Sequence, residues 1–484
     1  MEAENTLIGS THYDVIIVGA GPAGIFAAYE LTRSNPRINI LLIEKGKPLE
    51  ERTCPSRDSN KQCYHCNPCS IMSGWGGAGA FSDGKLTLSS EVGGRLFEYV
   101  KEEELKNLIQ YVDSVYLDFG APEEVFGVDE EKVHFFQRKA AKAGLKLIPT
   151  MVRHMGTERC KEVLSQFYDY LSSRVDILTG SYVKEIITNK DRIKGVRVDS
   201  KVFDGDYVIV APGRDGADWL IQELKRLNLD TIRNPVDVGV RVELPAVVME
   251  ELTETLYEPK LEFYSRSFDD RVRTFCMNPN GEVITEYSDG VITVNGHSYK
   301  DRKTENTNFA LLISTTFTEP FKEPISYAKY IARLANLLGG GVLVQRLGDL
   351  ISGRRSTEDR IKKGIVKPTL VSATPGDLSF VLPYRHLTGI LEMLKALDEL
   401  APGVYSRYTL LYGVEVKFYS VRPKLNSSLE TQIRNLFAVG DGAGVTRGLV
   451  QASASGVIAA REIAKRIGVE VDGSYSSNRI AMGR

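Results

Sequence analysis

The stretch Val15–Gly46, VIIVGAGPAGIFAAYELTRSNPRINILLIEKG, decides the fold. Val15 to Val18 is a continuous apolar run, the pattern of a strand buried on both faces. Gly19-Ala20-Gly21-Pro22-Ala23-Gly24 follows and opens a helix that the pattern carries to about Arg33. A second apolar run, Ile38 to Ile43, ends at Glu44. Each glycine has its own task. Gly19 permits the tight turn, Gly21 lets the backbone approach a pyrophosphate, and Gly24 lets helix pack on strand. N–H groups at the helix start then hold the anion, aided by the helix dipole. Glu44 stands at the strand end, where a carboxylate accepts hydrogen bonds from ribose hydroxyls. The nucleotide-binding candidates in this unit are Gly19, Gly21, Pro22, Ala23, Gly24, Glu44 and Lys45. The unit alone does not separate FAD from NAD.

The bulk numbers narrow the class. A chain of 484 residues predicts two or three domains. Its 42% hydrophobic content is that of a globular protein. A formal charge of −2 supplies no basic face for nucleic acid or an acidic membrane. No run approaches the ~18 apolar residues of a membrane span. The N-terminal residues lack the pattern of a signal peptide, so a cytoplasmic location is expected. Six cysteines make no disulfide scaffold, yet Cys54, Cys63, Cys66 and Cys69 fall close together.

The far end of the chain points to FAD. Leu436 to Val439 reads as another buried strand, Gly440-Asp441 ends it, and a helix rich in small residues follows from about Gly448. This resembles the C-terminal "GD" motif of glutathione-reductase-like flavoproteins. The resemblance implies that Asp441 bonds the ribityl chain and that the helix start at Leu449 and Val450 faces the flavin pyrimidine edge. A helix N-terminus there would favour the negative charge of a reduced flavin. Between the two ends, VDILT, YVKEIIT, KGVRV and YVIVA are short strands closed by Ala211-Pro212-Gly213. They resemble the meander and strand-end "ATG" motif of the same superfamily, with Pro212 where threonine is usual. Val183, Ala211, Gly213 and Gly440 join the candidates on that basis.

The expected fold is therefore α/β: a Rossmann-like FAD-binding domain of discontinuous segments, with an inserted α+β substrate domain. The expected boundaries are 1–90, 145–230 and 426–484 for the FAD domain, 91–144 for a helical insertion, and 231–425 for the substrate or cap domain. Within the last, Val238, Val240 and Val242 alternate with Gly239, Arg241 and Glu243, which predicts a half-buried strand. There is no second GxGxxG, and Gly339-Gly340-Gly341 stands after a helix, the wrong order for a phosphate loop. Electrons then come from transiently bound NAD(P)H, a protein donor or the substrate. The whole chain resembles the prokaryotic FAD-dependent dehydrogenase flavoproteins. The motifs that carry this are GWGGAGAFSDGKL (Gly74–Leu86), RHMGT (Arg153–Thr157), FCMNPNGEV (Phe275–Val283), VNGHSYKDR (Val294–Arg302), GVEVKFYSVRP (Gly413–Pro423) and GDGAG (Gly440–Gly444).

In Gly74–Leu86 the resemblance implies a loop over the flavin ring, with Gly79 and Gly84 allowing close approach and Ser82 or Lys85 donating hydrogen bonds. Cys63-x2-Cys66-x2-Cys69 with Cys54 upstream fits a [4Fe–4S] ligand run, zinc, a redox disulfide or unligated thiols. Cys160 reads as a small buried hydrophobe. Lys85, His297 and Cys276 are the catalytic candidates, and Arg422 suits either an anionic substrate or a surface ion pair. The expected function is oxidoreductase chemistry between flavin N5 and a small-molecule substrate. The alternatives are an electron-transfer flavoprotein with an Fe–S cluster and a redox protein partner, or a non-catalytic FAD-binding protein.

Overall fold

The computed structural model describes residues 12–55, 66–232, 234–288, 290–299, 302–315, 317, 320–321, 323–417 and 421–469. Along the chain come β1 (His12–Val18), α1 (Pro22–Ser34), β2 (Ile40–Ile43), β3 (Lys85–Leu88), α2 (Glu102–Asp118), α3 (Glu130–Lys142), β4 (Lys146–Ile148), β5 (Met151–His154) and α4 (Gly156–Ser172). Then follow β6 (Asp176–Leu178), β7 (Val183–Asn189), β8 (Arg192–Val198), β9 (Lys201–Val210), α5 (Ala217–Arg226), β10 (Thr231–Ile232), β11 (Val236–Pro245), α6 (Glu250–Leu256), β12 (Lys260–Tyr264) and β13 (Arg271–Asn278). The chain continues with β14 (Glu282–Ser288), β15 (Val291–His297), β16 (Asn306–Thr315), α7 (Pro324–Gly339), β17 (Leu343–Arg346), α8 (Leu347–Ile351), α9 (Glu358–Lys362) and β18 (Thr374–Pro375). It closes with α10 (Tyr384–Leu400), β19 (Leu410–Lys417), β20 (Arg422–Pro423), β21 (Leu436–Ala438) and α11 (Leu449–Arg466).

The chain divides into two compact units: residues 1–123, 153–234 and 420–484, and residues 124–152 and 235–419. The helical segment expected at 91–144 is thereby shared: α2 belongs to the first unit and α3 to the second. Each amphipathic helix buries its apolar stripe on a different core, so contiguity in sequence does not keep them together.

In the first unit the sheet order is β6-β2-β1-β9-β8-β7, with β21 also paired to β9. The contacts of β1 with β2 and β9, of β2 with β6, and of β9 with β21 are parallel. The VDILT strand leaves the expected meander and lies at this parallel edge. The long β9 serves two neighbours, pairing β8 near its start and β21 at its end. Val15 and Ile17 face a core shared with α1, α2, α4 and α11, while Ile16 and Val18 face the meander side. This two-sided burial explains why β1 reads as an unbroken apolar run.

The second unit is built on an eight-stranded sheet, β18-β17-β19-β11-β16-β13-β12-β4, antiparallel except for β17–β18. Val238, Val240, Val242, Leu311 and Ile313 pack against α3, α7 and α10. The expectation of a half-buried β11 fails: every residue from Val236 to Leu244 is buried. The reason is the β14–β15 hairpin, which covers the second face and brings Asn295 and Gly296 onto Arg241. The glycine triplet is a helix terminus: Gly340, at φ 66°, caps α7 through its N–H to Asn336 O at 2.8 Å.

Candidate flavin site

The glycine turn is determined by close packing. A Cβ on Gly24 would stand 1.9 Å from the Gly19 carbonyl oxygen, and one on Gly19 would stand 2.1 Å from the Ala211 oxygen. Gly19 also sits at φ 108°, which excludes most side chains. Gly21 differs. Its missing Cβ meets only Gly77 Cα, at 4.0 Å, so open space lies over the start of α1. Pro22 occupies the first helical turn, and no acid stands there to compete with an anion.

Two further segments come to this turn. Gly213 follows β9 at φ 62° with open space at its Cβ position. Gly442 lies against it, its own Cβ position 2.1 Å from the Gly213 oxygen. Gly440 donates its N–H to Ser455 Oγ at 3.0 Å, and its Cβ position is 3.1 Å from Ala23 Cβ. Gly456 closes the helix pair, with the Ala23 oxygen 2.0 Å from where its Cβ would be. Thus Gly19–Gly24, Ala211–Gly213 and Gly440–Gly448 converge, and the small residues of α11 exist to let it lie on α1.

Asp441 lies where these segments meet. Its carboxylate accepts from Thr446 Oγ1 at 2.8 Å and Gly448 N at 3.3 Å. Burial pushes its carboxyl above the usual range, against the pull of the Arg214 guanidinium and of those two hydrogen bonds. One donor on each oxygen leaves acceptor capacity on the carboxylate. Gly448 then starts α11 at φ 90° with nothing within 4 Å of its Cβ position. The first N–H groups of α11, at Leu449 and Val450, have no acceptor within the helix.

Glu44 does more than the motif predicts. Its Oε2 accepts from Ala20 N at 2.9 Å, and its Oε1 from Gly46 N and Gly74 N, each at 2.8 Å. It therefore pins the 74–81 loop to the glycine turn and keeps one acceptor direction on Oε2. Lys45 reaches Asp215, 2.7 Å from its carboxylate. Val183 is buried at the start of β7. Gly79 lies between the two helix starts, its Cβ position 2.8 Å from Leu449 Cδ2 and 3.6 Å from Pro22 Cγ.

The other residues of that loop are used differently. Ser82 Oγ donates to Gly79 O at 2.8 Å and accepts from Gly84 N at 3.2 Å, so it closes its own turn. Gly84 packs on Cys160, whose Sγ lies 2.3 Å from its Cβ position. Burial pushes the Cys160 thiol up to about 12, as befits a small core residue. Lys85 is largely buried and paired with Asp83 at 2.9 Å.

The cysteine half is tied to the glycine half by Arg52, a residue without any local sequence signal. Its guanidinium donates to Ser70 O (2.9 Å), Ile71 O (2.8 Å) and Trp75 O (2.6 Å) and lies 4.9 Å from the Phe81 ring centroid. Burial pulls the guanidinium down to about 10, with Glu44 and Cys69 working in the opposite direction. Cys54 and Cys69 are partly buried and Cys66 is exposed. Cys63 lies outside the described residues. Among the described residues, no three His, Cys, Asp or Glu side chains stand close enough to share a metal ion. Cys54, Cys66 and Cys69, the described part of the expected ligand set, are not gathered into such a group.

His297 and Cys276 belong to the second unit. His297 is buried against the Tyr299 ring. Cys276 sits at φ 43° in an irregularity of β13, and its carbonyl accepts from Arg241 Nη1 at 3.0 Å. Arg422, in the first unit, is buried and bonded to Glu98 and Tyr99 rather than exposed.

Residues 235–418 match the family described as FAD-dependent protein, C-terminal domain-like. Residues 371–470 match glucose inhibited division protein A, and residues 14–70 match lycopene cyclase protein. An uncharacterised protein of Clostridium beijerinckii is 28% identical over 473 residues, covering 93% of this chain and 80% of its own length. Among solved structures, pyridoxine 4-oxidase from Mesorbium loti covers 93% of this chain and 99% of its own, at 14% identity and a TM-score of 0.42. Glycine oxidase from Geobacillus kaustophilus covers 94% and 95%, at 13% identity and a TM-score of 0.41. No described helix is long and apolar enough to cross a membrane. The dinucleotide turn, the GDGAG loop and a segment similar to the C-terminal domain of FAD-dependent proteins thus stand in one chain.

Proposed function

We propose that the first unit holds FAD in the space left open by Gly21, Gly213 and Gly448, and that the protein exchanges hydride between flavin N5 and a small-molecule substrate. The observation that carries this reading is the convergence of three glycine-bearing segments on that space, each with the cradle left unfilled by a side chain. FAD, when bound, supplies the two-electron chemistry that no amino-acid side chain provides. The protein residues bind and orient it. The α1 start, from Gly21 through Gly24, receives the pyrophosphate. Glu44 accepts from the adenosine ribose and Asp441 from the ribityl chain, while the Val183 backbone meets the adenine. The α11 start at Leu449 and Val450 presents N–H groups and a positive helix end to the pyrimidine edge. Gly79, between the two helix starts, keeps the covering loop close. NAD(P)H acts as a transiently bound donor, since the sequence carries no second GxGxxG.

The test is anaerobic stopped-flow reduction of the purified protein by NADH, NADPH and dithionite, with the flavin spectrum as readout. Bound FAD that is reduced by a nicotinamide donor and reoxidised by an acceptor is expected. Protein that binds no FAD, or a flavin that neither donor reduces, overturns the respective half of the proposal.

A further inference from the structure

Five arginines are buried among the described residues: Arg52, Arg153, Arg241, Arg346 and Arg422. Four of them commit Nε to an acceptor. Arg52 Nε donates to Ser70 O at 2.9 Å, Arg153 Nε to Asp113 at 2.8 Å, Arg241 Nε to Glu415 at 2.7 Å and Arg346 Nε to Asp349 at 2.9 Å. Arg422 does not. Its Nη1 donates to the Glu98 carboxylate and to Tyr99 Oη at 3.1 Å. Its Nε is buried and has no partner. A buried donor on a charged group is costly when unmet, so the exception asks for an acceptor.

The edge left open is informative. A guanidinium receives a carboxylate through two parallel N–H groups, and the Nε–Nη2 edge is one such fork. Local charge agrees. Glu98 Oε1 faces Arg95 at 2.5 Å, so one carboxylate serves two guanidinium groups and the cluster keeps a net positive charge. Its place in the first unit agrees too. Glu98 and Tyr99 follow a strap in which Gly94 bridges Thr446 and Arg95 N donates to Val445 O at 2.9 Å. That strap lies on the approach to α11, the end of the site assigned above to the flavin pyrimidine edge. Asn234, two residues beyond the β10 partner of Arg422, donates to Gly444 O at 3.2 Å in the same loop.

We propose that Arg422 is a substrate-binding residue whose Nε–Nη2 edge receives the carboxylate of a small organic acid, with Glu98 and Tyr99 fixing the guanidinium plane. This rests on the flavin reading above and adds the substrate class to it.

The experiment titrates FAD-loaded protein with acetate, glycolate, pyruvate and benzoate, with acetamide and benzamide as neutral controls and inorganic phosphate as a second anion. The readout is perturbation of the flavin spectrum. A saturable change with at least one carboxylate, and none with the amides, is expected. Arg422→Lys keeps the charge but loses the fork; it should retain FAD and thermal stability yet bind that carboxylate at least about tenfold more weakly. Glu98→Gln removes the competing charge while its amide oxygen still accepts from Arg422 Nη1, and should bind that carboxylate more tightly. No response to any carboxylate, or unchanged affinity in Arg422→Lys, overturns the proposal. Binding of phosphate alone overturns the carboxylate class. Should Arg422→Lys fail to fold, unchanged or weaker affinity in Glu98→Gln overturns it instead. Wild-type protein without FAD overturns the flavin reading and this inference with it, whereas FAD-loaded protein with an unresponsive spectrum overturns only this one.

Discussion

Gly21 and Gly296 are used in opposite ways. At Gly21 the missing side chain leaves room: the nearest atom to its Cβ position is a backbone carbon 4.0 Å away. At Gly296 the room is taken by the protein itself. Arg241 Nη1, Asn308 Oδ1 and Asn278 Oδ1 lie 2.2, 2.2 and 2.3 Å from where its Cβ would be. Around Arg241 the network is nearly saturated. Glu415 accepts from its Nε and Nη2 at 2.7 and 2.9 Å, and Lys417 reaches Glu415 and Glu286 at 3.2 and 3.3 Å. The open glycine leaves room beside a helix start, while the filled one belongs to a polar core that fixes the hairpin on the sheet.

The sharpest way to break this contrast is Gly21→Val. Gly21 has φ −80°, so a side chain fits the backbone. The variant should fold and yet lose bound FAD, measured as flavin released on denaturation. Retained FAD would remove the ligand role from the open glycine. Next in size is Glu415→Gln, which strands Arg241 with a weakened partner. Breaking such a buried pair costs about 3–5 kcal/mol. The loss should appear in denaturant unfolding of the second unit, and the double change Arg241→Met, Glu415→Leu should be less damaging than the single one.

Arg52→Met tests the link between the cysteine and glycine halves. Three carbonyl oxygens lose their donor, and a loss of about 2 kcal/mol with weaker FAD retention is expected. Equal FAD affinity in the variant would separate the two halves. A smaller effect is pH-dependent. Burial pushes the His386 imidazole down to about 4, Asp270 opposing that fall and Arg385 adding to it. The unfolded chain takes up the proton near pH 6.5, before the folded one does. Stability is therefore complete above about pH 6.5 and declines toward pH 4. His386→Phe should flatten that part of a pH–stability profile. The smallest expected effect is Gly340→Ala, about 1 kcal/mol from its φ of 66°, with FAD content unchanged. That result would set the helix-capping glycine apart from the ligand-facing one.

Local physics made much of the molecule legible in the sequence. The βαβ unit, Gly19, Gly24 and the C-terminal strand–helix all follow from rules that act within a few residues: apolar runs, turn sterics and helix starts. Three outcomes were decided only by tertiary structure. The face of β11 with Arg241 and Glu243 became buried because a hairpin about 50 residues away in sequence folds over it. Arg52 became the clamp of the 70–75 loop because its charge reaches three carbonyls that no motif announces. Glu44 turned out to hold the backbone N–H groups of Ala20, Gly46 and Gly74. In each case the deciding quantity is which donor meets which acceptor across long sequence distances. The sequence alone determined where a nucleotide turn must form and which chain ends supply it. The packed structure decided which polar groups are consumed by the protein and which, like Arg422 Nε, are left without a protein partner, because hydrogen-bond saturation is settled only when distant segments meet.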